Sequence, residues 1–334
     1  MDSESQLVER TARAIASSGG RRGDAILRLG IGDDAAILAP RGRSEWVLSC
    51  DAFLEGVHFL AKVHPPESVG YKALVRAASD LVAMGASPRF FLLTLAVPSR
   101  LTGAWFDAFL RGMARAARLL DIRLAGGDTT KSDSVFISVT VLGEVPRGMA
   151  IQRGGARPGD IIYVSGRLGR AQLGLELILN RLGGGRGTRR LLQPHLYPRI
   201  RVELGEWLAR HRIASAMMDV SDGLSTDLIR LCHASRTGAR VWADRISRVV
   251  IPASISKRLR KLKLNPLMMA LDGGEDYELL FTVSPRKAKR LQRAPGFGDL
   301  TPIGEITAKR GIFLVSKDGA SKPLRPGGWD SFTR

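Results

Sequence analysis

Cysteine is scarce in this chain, with only Cys50 and Cys232 among 334 residues. Two cysteines do not make a disulfide framework, so a reducing cytosol is the simplest setting and we expect a cytoplasmic protein. Long apolar runs are missing too: no stretch of about 18 apolar residues occurs, which predicts no membrane span. The first residues, 1–6, are polar and acidic and lack the basic, then apolar, layout of a signal peptide.

Aromatic residues and known phosphate-binding motifs are also few. The chain has 11 Phe and 4 Tyr, and no Lys/Arg run is interleaved with them, as a nucleic-acid stacking surface requires. The net charge is nevertheless +19, which favours anionic partners. We therefore expect small anions rather than a specific nucleic acid. The sequence has no Walker A pattern and no protein-kinase loop set, so any phosphates would be held by metals, by backbone amides of Gly-rich turns and by scattered Arg or Lys.

Acidic residues are concentrated in Gly-rich turns with apolar flanks. The first such turn, 29–38, carries the adjacent pair Asp33 and Asp34, and three later stretches repeat the pattern: 124–130, 216–224 and 271–283. An ordinary Asp-capped turn explains any one of them. Neighbouring carboxylates in a partly buried position, however, repel each other and require cations.

Two further aspartates extend this acidic set. Asp51 follows a short buried strand, and Asp80 lies near the C-terminal end of a predicted helix, where the helix dipole disfavours an anion. Lys72, Arg76 and Asp80 are spaced by four and share a helix face, which a solvated salt-bridge row would also explain. Oxygen ligands together with only 5 His predict Mg²⁺ rather than Zn²⁺, and clustered Mg²⁺ predicts polyphosphate chemistry.

The apolar patterning divides the chain into two α/β units. Up to Gly143 the predicted order is α-β-β-α-β-α-β, with helices over 4–17, 67–84 and 103–120 and a central apolar strand over 90–97. Between Gly143 and Asp160 the composition shifts to Pro, Gly and Arg, and we place the domain boundary there. We expect an α/β (α+β) fold of two domains, 1–148 and 149–334, each a mixed β-sheet covered by helices.

Several stretches together resemble the thiamine-monophosphate kinase family, in its order and spacing. They are Gly30–Ala36, Asp51 with Glu55–Phe59, Tyr71–Leu74 with Ser79–Ala86, Gly126–Thr130, Met218–Leu224 with Gly273–Leu279, Arg153–Asp160 and His195–Pro198. Each motif is weak alone, but the ordered set is specific. The resemblance implies an aminoimidazole-ribonucleotide-synthetase-like fold, in the ATP-binding superfamily that also contains selenophosphate synthetase.

The resemblance also implies an activity and a residue set. The activity is ATP-dependent phosphorylation of thiamine monophosphate to thiamine diphosphate with several Mg²⁺ ions, in a homodimer whose N-terminal sheets pair. The residues implied to hold metal are Asp34, Ser49, Cys50 (through its carbonyl), Asp51, Asp80, Asp128, Asp219 and Asp222, of which Asp51, Asp128 and Asp222 are the catalytic set. Those implied to touch ATP are Gly127, Asp128, Arg153 and Ser221, and those implied to touch thiamine monophosphate are His58, Glu275 and Trp329.

Other interpretations of the sequence stay open. From spacing alone His58 is better explained by an ordinary loop histidine, and Trp329 is explained equally well by a plain core or rim tryptophan. A sister ATPase of the same superfamily would use another acceptor. A basic anion-binding or nucleic-acid-binding module would follow from the +19 charge and would release DNA steeply with salt.

Overall fold

The computed structural model describes residues 27–29, 33–39, 42–182, 188–246, 248, 262, 264–291 and 296–332. The helix predicted over 4–17 lies outside these residues. The described strands form two sheets, one from each half of the chain. The boundary at residue 148 falls between the last strand of the first sheet and the first strand of the second, and it stays a prediction.

The first sheet is built from six strands. They are β1 (Leu27–Leu29), β2 (Ala36–Leu38), β3 (Ser44–Leu54), β4 (Ser87–Val97), β5 (Arg123–Lys131) and β6 (Phe136–Pro146). Their spatial order is β1-β2-β3-β6-β4-β5, in which β4 and β5 run parallel and the other neighbours antiparallel. Helices α1 (Pro66–Ala83) and α2 (Ala104–Leu119) cover one face of this sheet.

Helix α1 lies at the centre of the molecule, because 14 of its 18 residues are buried. It begins with Pro66 in its first turn, where the missing N–H costs nothing. It crosses α2 at Gly70, where a Cβ would lie 2.0 Å from the carbonyl oxygen of Phe109. The same apolar core takes in Leu204 and Phe281 from the second half of the chain, so this cluster spans both halves, and the second half has further clusters of its own.

The second sheet contains β7 (Ile161–Ser165), β8 (Ala216–Val220), β9 (Gly238–Trp242), β10 (Glu278–Val283), β11 (Leu300–Thr307), β12 (Ile312–Val315) and β13 (Ser321–Pro323). Its order is β13-β12-β9-β11-β7-β10-β8. The helices of this half are α3 (Arg170–Leu179), α4 (Arg189–Leu196), α5 (Val202–Arg210), α6 (Leu224–Ser235), α7 (Pro266–Asp272) and α8 (Pro285–Leu291). The expected pair of mixed sheets with helices is therefore confirmed. In the described part of the chain, no helix combines the length and apolarity that crossing a bilayer would require.

Two local predictions in the first half are wrong. The Gly-rich stretch 124–130 is not a turn but the body of β5, because it pairs in parallel with the distant strand β4. Strand β4 is next to the edge rather than central, and its outer face is open, with Phe90 40% and Leu92 41% exposed. All nine residues of β5 are exposed as well.

Candidate active site

Three aspartates from distant parts of the chain meet between the two sheets. Asp34 precedes β2, Asp80 lies in the last turn of α1 and Asp219 lies in β8. One carboxylate oxygen from each lies within 4.8 Å of the others. Oδ2 of Asp34 is buried and makes no hydrogen bond within the described residues. Asp34 and Asp219 come from two of the four acidic stretches and Asp80 from the predicted helix, whereas Asp128, from the stretch 124–130, does not join them.

Burial and repulsion from neighbouring acids raise the pKa of two of these carboxylates, those of Asp80 and Asp219. Burial, followed by the charges of Asp51 and Asp219, raises the pKa of Asp80 well above its usual range. Burial and the charge of Asp34 raise the pKa of Asp219 to about 7. A divalent cation among the three would relieve this repulsion, and an all-oxygen donor set suits Mg²⁺. The residues present therefore fit a magnesium site.

Hydroxyl groups orient two of the three carboxylates. Oγ of Ser49 donates to Oδ2 of Asp80. Oγ of Ser79 donates to Oδ2 of Asp219 over 2.6 Å, and Oγ of Ser221 donates to Oδ1 of the same residue over 3.2 Å. Ser49 and Ser221 were both implied by the family resemblance, and both lie in direct contact with the aspartate cluster.

Arg153 is the cation that approaches the cluster from the second half of the chain. One terminal nitrogen of its guanidinium donates to Oδ1 of Asp34 over 2.5 Å. Its backbone N–H donates to Oδ2 of Asp33 over 3.0 Å. Burial and the neighbouring Asp34 nevertheless raise the pKa of Asp33 to about 6. Arg153 therefore contacts both Asp33 and Asp34 beside the candidate metal site. The contact with ATP that the family resemblance implies for Arg153 stays a prediction.

Asp51 and Asp222 flank the cluster, and each is paired with an arginine. Nε of Arg76 donates to Oδ2 of Asp51 over 3.0 Å. Arg230 donates to Oδ2 of Asp222 and, over 3.1 Å, to Oδ1 of buried Asp227. Asp227 also accepts the backbone N–H of Asp222 over 3.1 Å, which fixes the turn that carries Asp222.

Glu275 lies at the centre of a second buried polar group. Nζ of Lys72 lies 2.6 Å and Nδ1 of His195 lies 3.2 Å from Oε2 of Glu275. Nε2 of His195 in turn lies 3.1 Å from Nε2 of His64. Burial opposes ionisation of Glu275, but Lys72 and His195 outweigh it and hold the pKa of this carboxyl well below its usual range. Glu275 adopts φ +68°, a left-handed conformation that is costly for a non-glycine residue.

His58 lies near Glu275, whereas Trp329 lies against the acidic turn at Asp222. Nδ1 of His58 accepts the backbone N–H of Leu54 over 3.0 Å, and burial, helped by the charge of Arg76, lowers its pKa to about 4. The backbone N–H of Trp329 donates over 2.9 Å to the carbonyl oxygen of Asp222. That contact ties the C-terminal tail to the acidic turn of β8 and α6.

Gly127, Asp128 and the Cys50 side chain are not brought to the cluster within one chain. Strand register through β4 and β6 aligns Gly127 with Asp51 across three strand spacings, or about 14 Å. Asp128 is exposed on β5, the outermost strand. The side chain of Cys50 lies on the open face, with Sγ 3.4 Å from Oγ of Ser138. The roles expected for these residues stay predictions.

Comparison with known proteins identifies the family to which this chain belongs. The family model described as "AIR synthase related protein, N-terminal domain" matches residues 32–145, and its C-terminal counterpart matches residues 157–317. The thiamine-monophosphate kinase of Bacillus subtilis (strain 168) is 35% identical over 311 residues, covering 91% of this chain and 93% of the relative. That of Escherichia coli (strain K12) is 36% identical, with 92% of each chain covered. The chain belongs to the thiamine-monophosphate kinase family.

Solved structures agree with this assignment. The structure described as "AaThiL complexed with AMPPCP and TMP" superposes with a TM-score of 0.83 at 32% identity, covering 99% of this chain and 97% of the other. The thiamine-monophosphate kinase structure from Stenotrophomonas maltophilia K279a gives 0.73 at 35% identity, with 95% and 96% covered. Escherichia coli HypE gives 0.68 at 21% identity and shares the fold alone.

Sequence reasoning missed several residues of this thiamine-monophosphate kinase site. The face shared by Lys72 and Arg76 is not a solvated row, because Lys72 is 3% exposed and each cation is paired with an acid of the site. The i, i+4 spacing from Arg76 to Asp80 indicated that these side chains share a helix face. It does not indicate whether that face is buried or solvent-exposed. His64 gave no local signal, and His195 gave one only as the first residue of the resembling stretch His195–Pro198; their contact could not be foreseen, because 131 residues separate them in the chain.

Proposed function

We propose that this protein transfers the γ-phosphoryl group of ATP to thiamine monophosphate, giving thiamine diphosphate. The observation that carries the proposal is the meeting of Asp34, Asp80 and Asp219 in a family whose relatives bear this enzyme name. A relative described with AMPPCP and TMP supports ATP as the donor and the monophosphate as the acceptor. Two free thiols, without a disulfide among the described residues, support a cytoplasmic setting.

Magnesium is the cofactor that the acidic residues would hold. Asp34, Asp80 and Asp219 would form the central site, with Ser49 and the Cys50 carbonyl beside it and Asp51, Asp222 and Asp128 contributing at its margins. When bound, the ions supply neutralisation of the charge that builds up between two phosphate groups. Asp51, Asp128 and Asp222 are the carboxylates that we assign to catalysis.

Transfer is expected to be direct and in line, with no phosphoenzyme. The acceptor is a phosphate monoester with a second pKa of about 6, so near pH 7 it is mostly ionised and needs no general base. The obstacle is repulsion between two anions, which positioning and electrostatic neutralisation overcome. Arg153, Ser221 and the backbone of Gly127, together with Asp128, would position the ATP phosphates.

His58, Glu275 and Trp329 would position the vitamin end of the acceptor. Glu275 stays ionised through Lys72 and His195 and suits the cationic thiazolium. The low pKa of His58, about 4, keeps this imidazole neutral at pH 7. An indole face attracts a cation by about 0.5–2 kcal/mol, which suits Trp329 as an aromatic wall.

A homodimer completes the proposal. The open face of the first sheet exposes Phe90 (40%), Leu92 (41%) and, on β5, Leu124 (58%). An apolar sheet face of this kind is typical of a protein interface. Pairing of two first sheets would cover it and would enclose Asp128, which a single chain leaves in solvent.

The test is a direct assay with purified protein, ATP, Mg²⁺ and thiamine monophosphate, with thiamine diphosphate quantified by chromatography. Thiamine as the acceptor and a reaction without Mg²⁺ are the controls. We expect diphosphate formation only with the monophosphate and the metal. ATP consumption without diphosphate would favour a sister ATPase, and trapping of a phosphoprotein after ATP alone would contradict direct transfer.

A further inference from the structure

Arg76 has hydrogen-bonding capacity that its protein contacts do not use. It lies on α1, and its side chain is only 16% exposed. Nε donates to Oδ2 of Asp51 over 3.0 Å, and the guanidinium carbon lies 5.2 Å from the ring centroid of Phe53. Within the described ranges, its two terminal NH₂ groups donate no hydrogen bond to protein. A guanidinium has five N–H donors, so four of them are available in a largely buried place.

The position of Arg76 is between the two ends of the site. Asp51 connects it to the acidic end, where its charge acts on Asp80. Phe53 connects it to the vitamin end, because the same ring packs 5.5 Å from the imidazole of His58. The acceptor's phosphate group must lie between these ends if the thiazolium is near His58 and Glu275 and the γ-phosphoryl group is near the metal. Arg76 is therefore placed where that phosphate has to be.

The other cations of the site are already committed. Arg153 contacts two carboxylates, those of Asp33 and Asp34, and Arg230 contacts those of Asp222 and Asp227. Among the described ion pairs, Arg76 has a single carboxylate partner, Asp51, which it contacts through Nε. A planar guanidinium fork matches two phosphate oxygens, and buried charge-assisted bonds of this kind are the stronger ones. We propose that Arg76 binds the phosphate group of the acceptor monophosphate and thereby sets the preference for a phosphorylated over an unphosphorylated acceptor. The inference rests on the proposed function and assigns one contact within it.

The decisive measurement is a ratio of two affinities. Thiamine monophosphate and thiamine are titrated calorimetrically into wild type, Arg76→Gln and Arg76→Lys, each saturated with Mg²⁺ and AMPPCP. For Arg76→Gln we expect the monophosphate to bind about 10- to 100-fold more weakly, the usual worth of hydrogen bonds to a charged group, with little change for thiamine. Arg76→Lys should recover part of the loss, because it keeps the charge but not the fork.

The ratio separates phosphate binding from a structural role. If Arg76 only holds Asp51 in place, both ligands weaken together or the Mg²⁺ requirement rises while the ratio stays constant, and the inference is overturned. Arg115→Gln is the matched control, since Arg115 stacks on Tyr71 and Tyr197 and its ion-pair partner, Glu67, is not one of the acids of the site. It should keep the wild-type ratio, and circular dichroism melting reports whether each variant folds.

Failure of the proposed function would be visible separately. Wild-type protein that binds neither ligand and forms no thiamine diphosphate refutes that function, whatever Arg76 does. Wild type that turns over normally, while Arg76→Gln retains the full preference for the monophosphate, refutes only the role of Arg76.

Discussion

Replacing Asp219 with Asn should stabilise the magnesium-free protein while abolishing its activity. Asp219 is 2% exposed and shares a small space with Asp34 and Asp80. An asparagine of the same shape keeps hydrogen-bonding partners in Ser79 and Ser221, because hydroxyls both donate and accept. It removes one of the three negative charges, which is the charge a metal would otherwise neutralise.

The size and sign of this effect follow from the pKa of Asp219. Burial and Asp34 raise it from 3.8 to about 7, so the native state holds this proton more tightly than the unfolded chain does. Stability without metal therefore falls as the pH rises from about 4 to about 7 and stays low above it. A gap of about 3 pH units at about 1.4 kcal/mol each sets a ceiling on the order of 4 kcal/mol. An amide reproduces the hydrogen bonds of a protonated carboxyl group only in part, so we expect a net gain of about 2 kcal/mol at pH 8.

The assay is thermal melting of wild type and Asp219→Asn in EDTA at pH 5, 6.5 and 8. For a chain of 334 residues, a gain of about 2 kcal/mol corresponds to a Tm rise of about 3 °C at pH 8, and this rise should shrink towards pH 5. Added Mg²⁺ should then raise the Tm of wild type more than that of the variant. An Asn variant that melts at or below wild type at pH 8 without metal would refute the reasoning about crowded carboxylates.

Three other perturbations test the remaining parts of the site. Lys72→Met leaves the Glu275 carboxylate, 24% exposed, without its ammonium partner, so we expect a loss of about 1.5–3 kcal/mol in urea denaturation and a larger rise in the KM for thiamine monophosphate than in the KM for ATP; equal rises in both KM values would argue against it. Asp222→Asn should lower turnover at limiting Mg²⁺ by about 100-fold or more with an unchanged circular dichroism spectrum, and near-normal turnover would remove Asp222 from the metal set. Leu92→Glu puts a charge on the open sheet face, so sedimentation should show a dimer for wild type and a monomer for the variant, whereas an unaltered dimer would place the interface elsewhere.

The acidic part of the site was predictable because its signal is local. Asp34, Asp80 and Asp219 each stand where an ordinary surface acid would not, among apolar residues or at the wrong end of a helix dipole. Carboxylates in such positions require a cation, and one cation shared by all three explains why they lie together. The two mixed sheets followed from the same patterns of apolar alternation.

What sequence reasoning missed depends on contacts between distant segments. The Gly-Gly-Asp stretch of β5 has turn composition, and only its parallel pairing with β4 makes it a strand. Burial of Lys72 depends on α1 being enclosed by the second half of the chain, which helical spacing does not report. The His64–His195 contact joins the loop before α1 to the last turn of α4, and no sequence motif links these two segments.

Helix α1 carries the acid Asp80 and the cations Arg76 and Lys72 on one face. Lys72 contacts Glu275, at the proposed thiamine end of the site, and Asp80 belongs to the candidate metal site. About two turns of rigid helix, or about 12 Å, therefore fix the distance between these two ends. A single residue inserted or deleted inside α1 would rotate one end by about 100° relative to the other and destroy both at once. With the proposed substrate contacts, we therefore expect the rise of α1 to limit the length of acceptor that fits, so that other acceptors would have to differ beyond the two ends of this helix segment rather than between them.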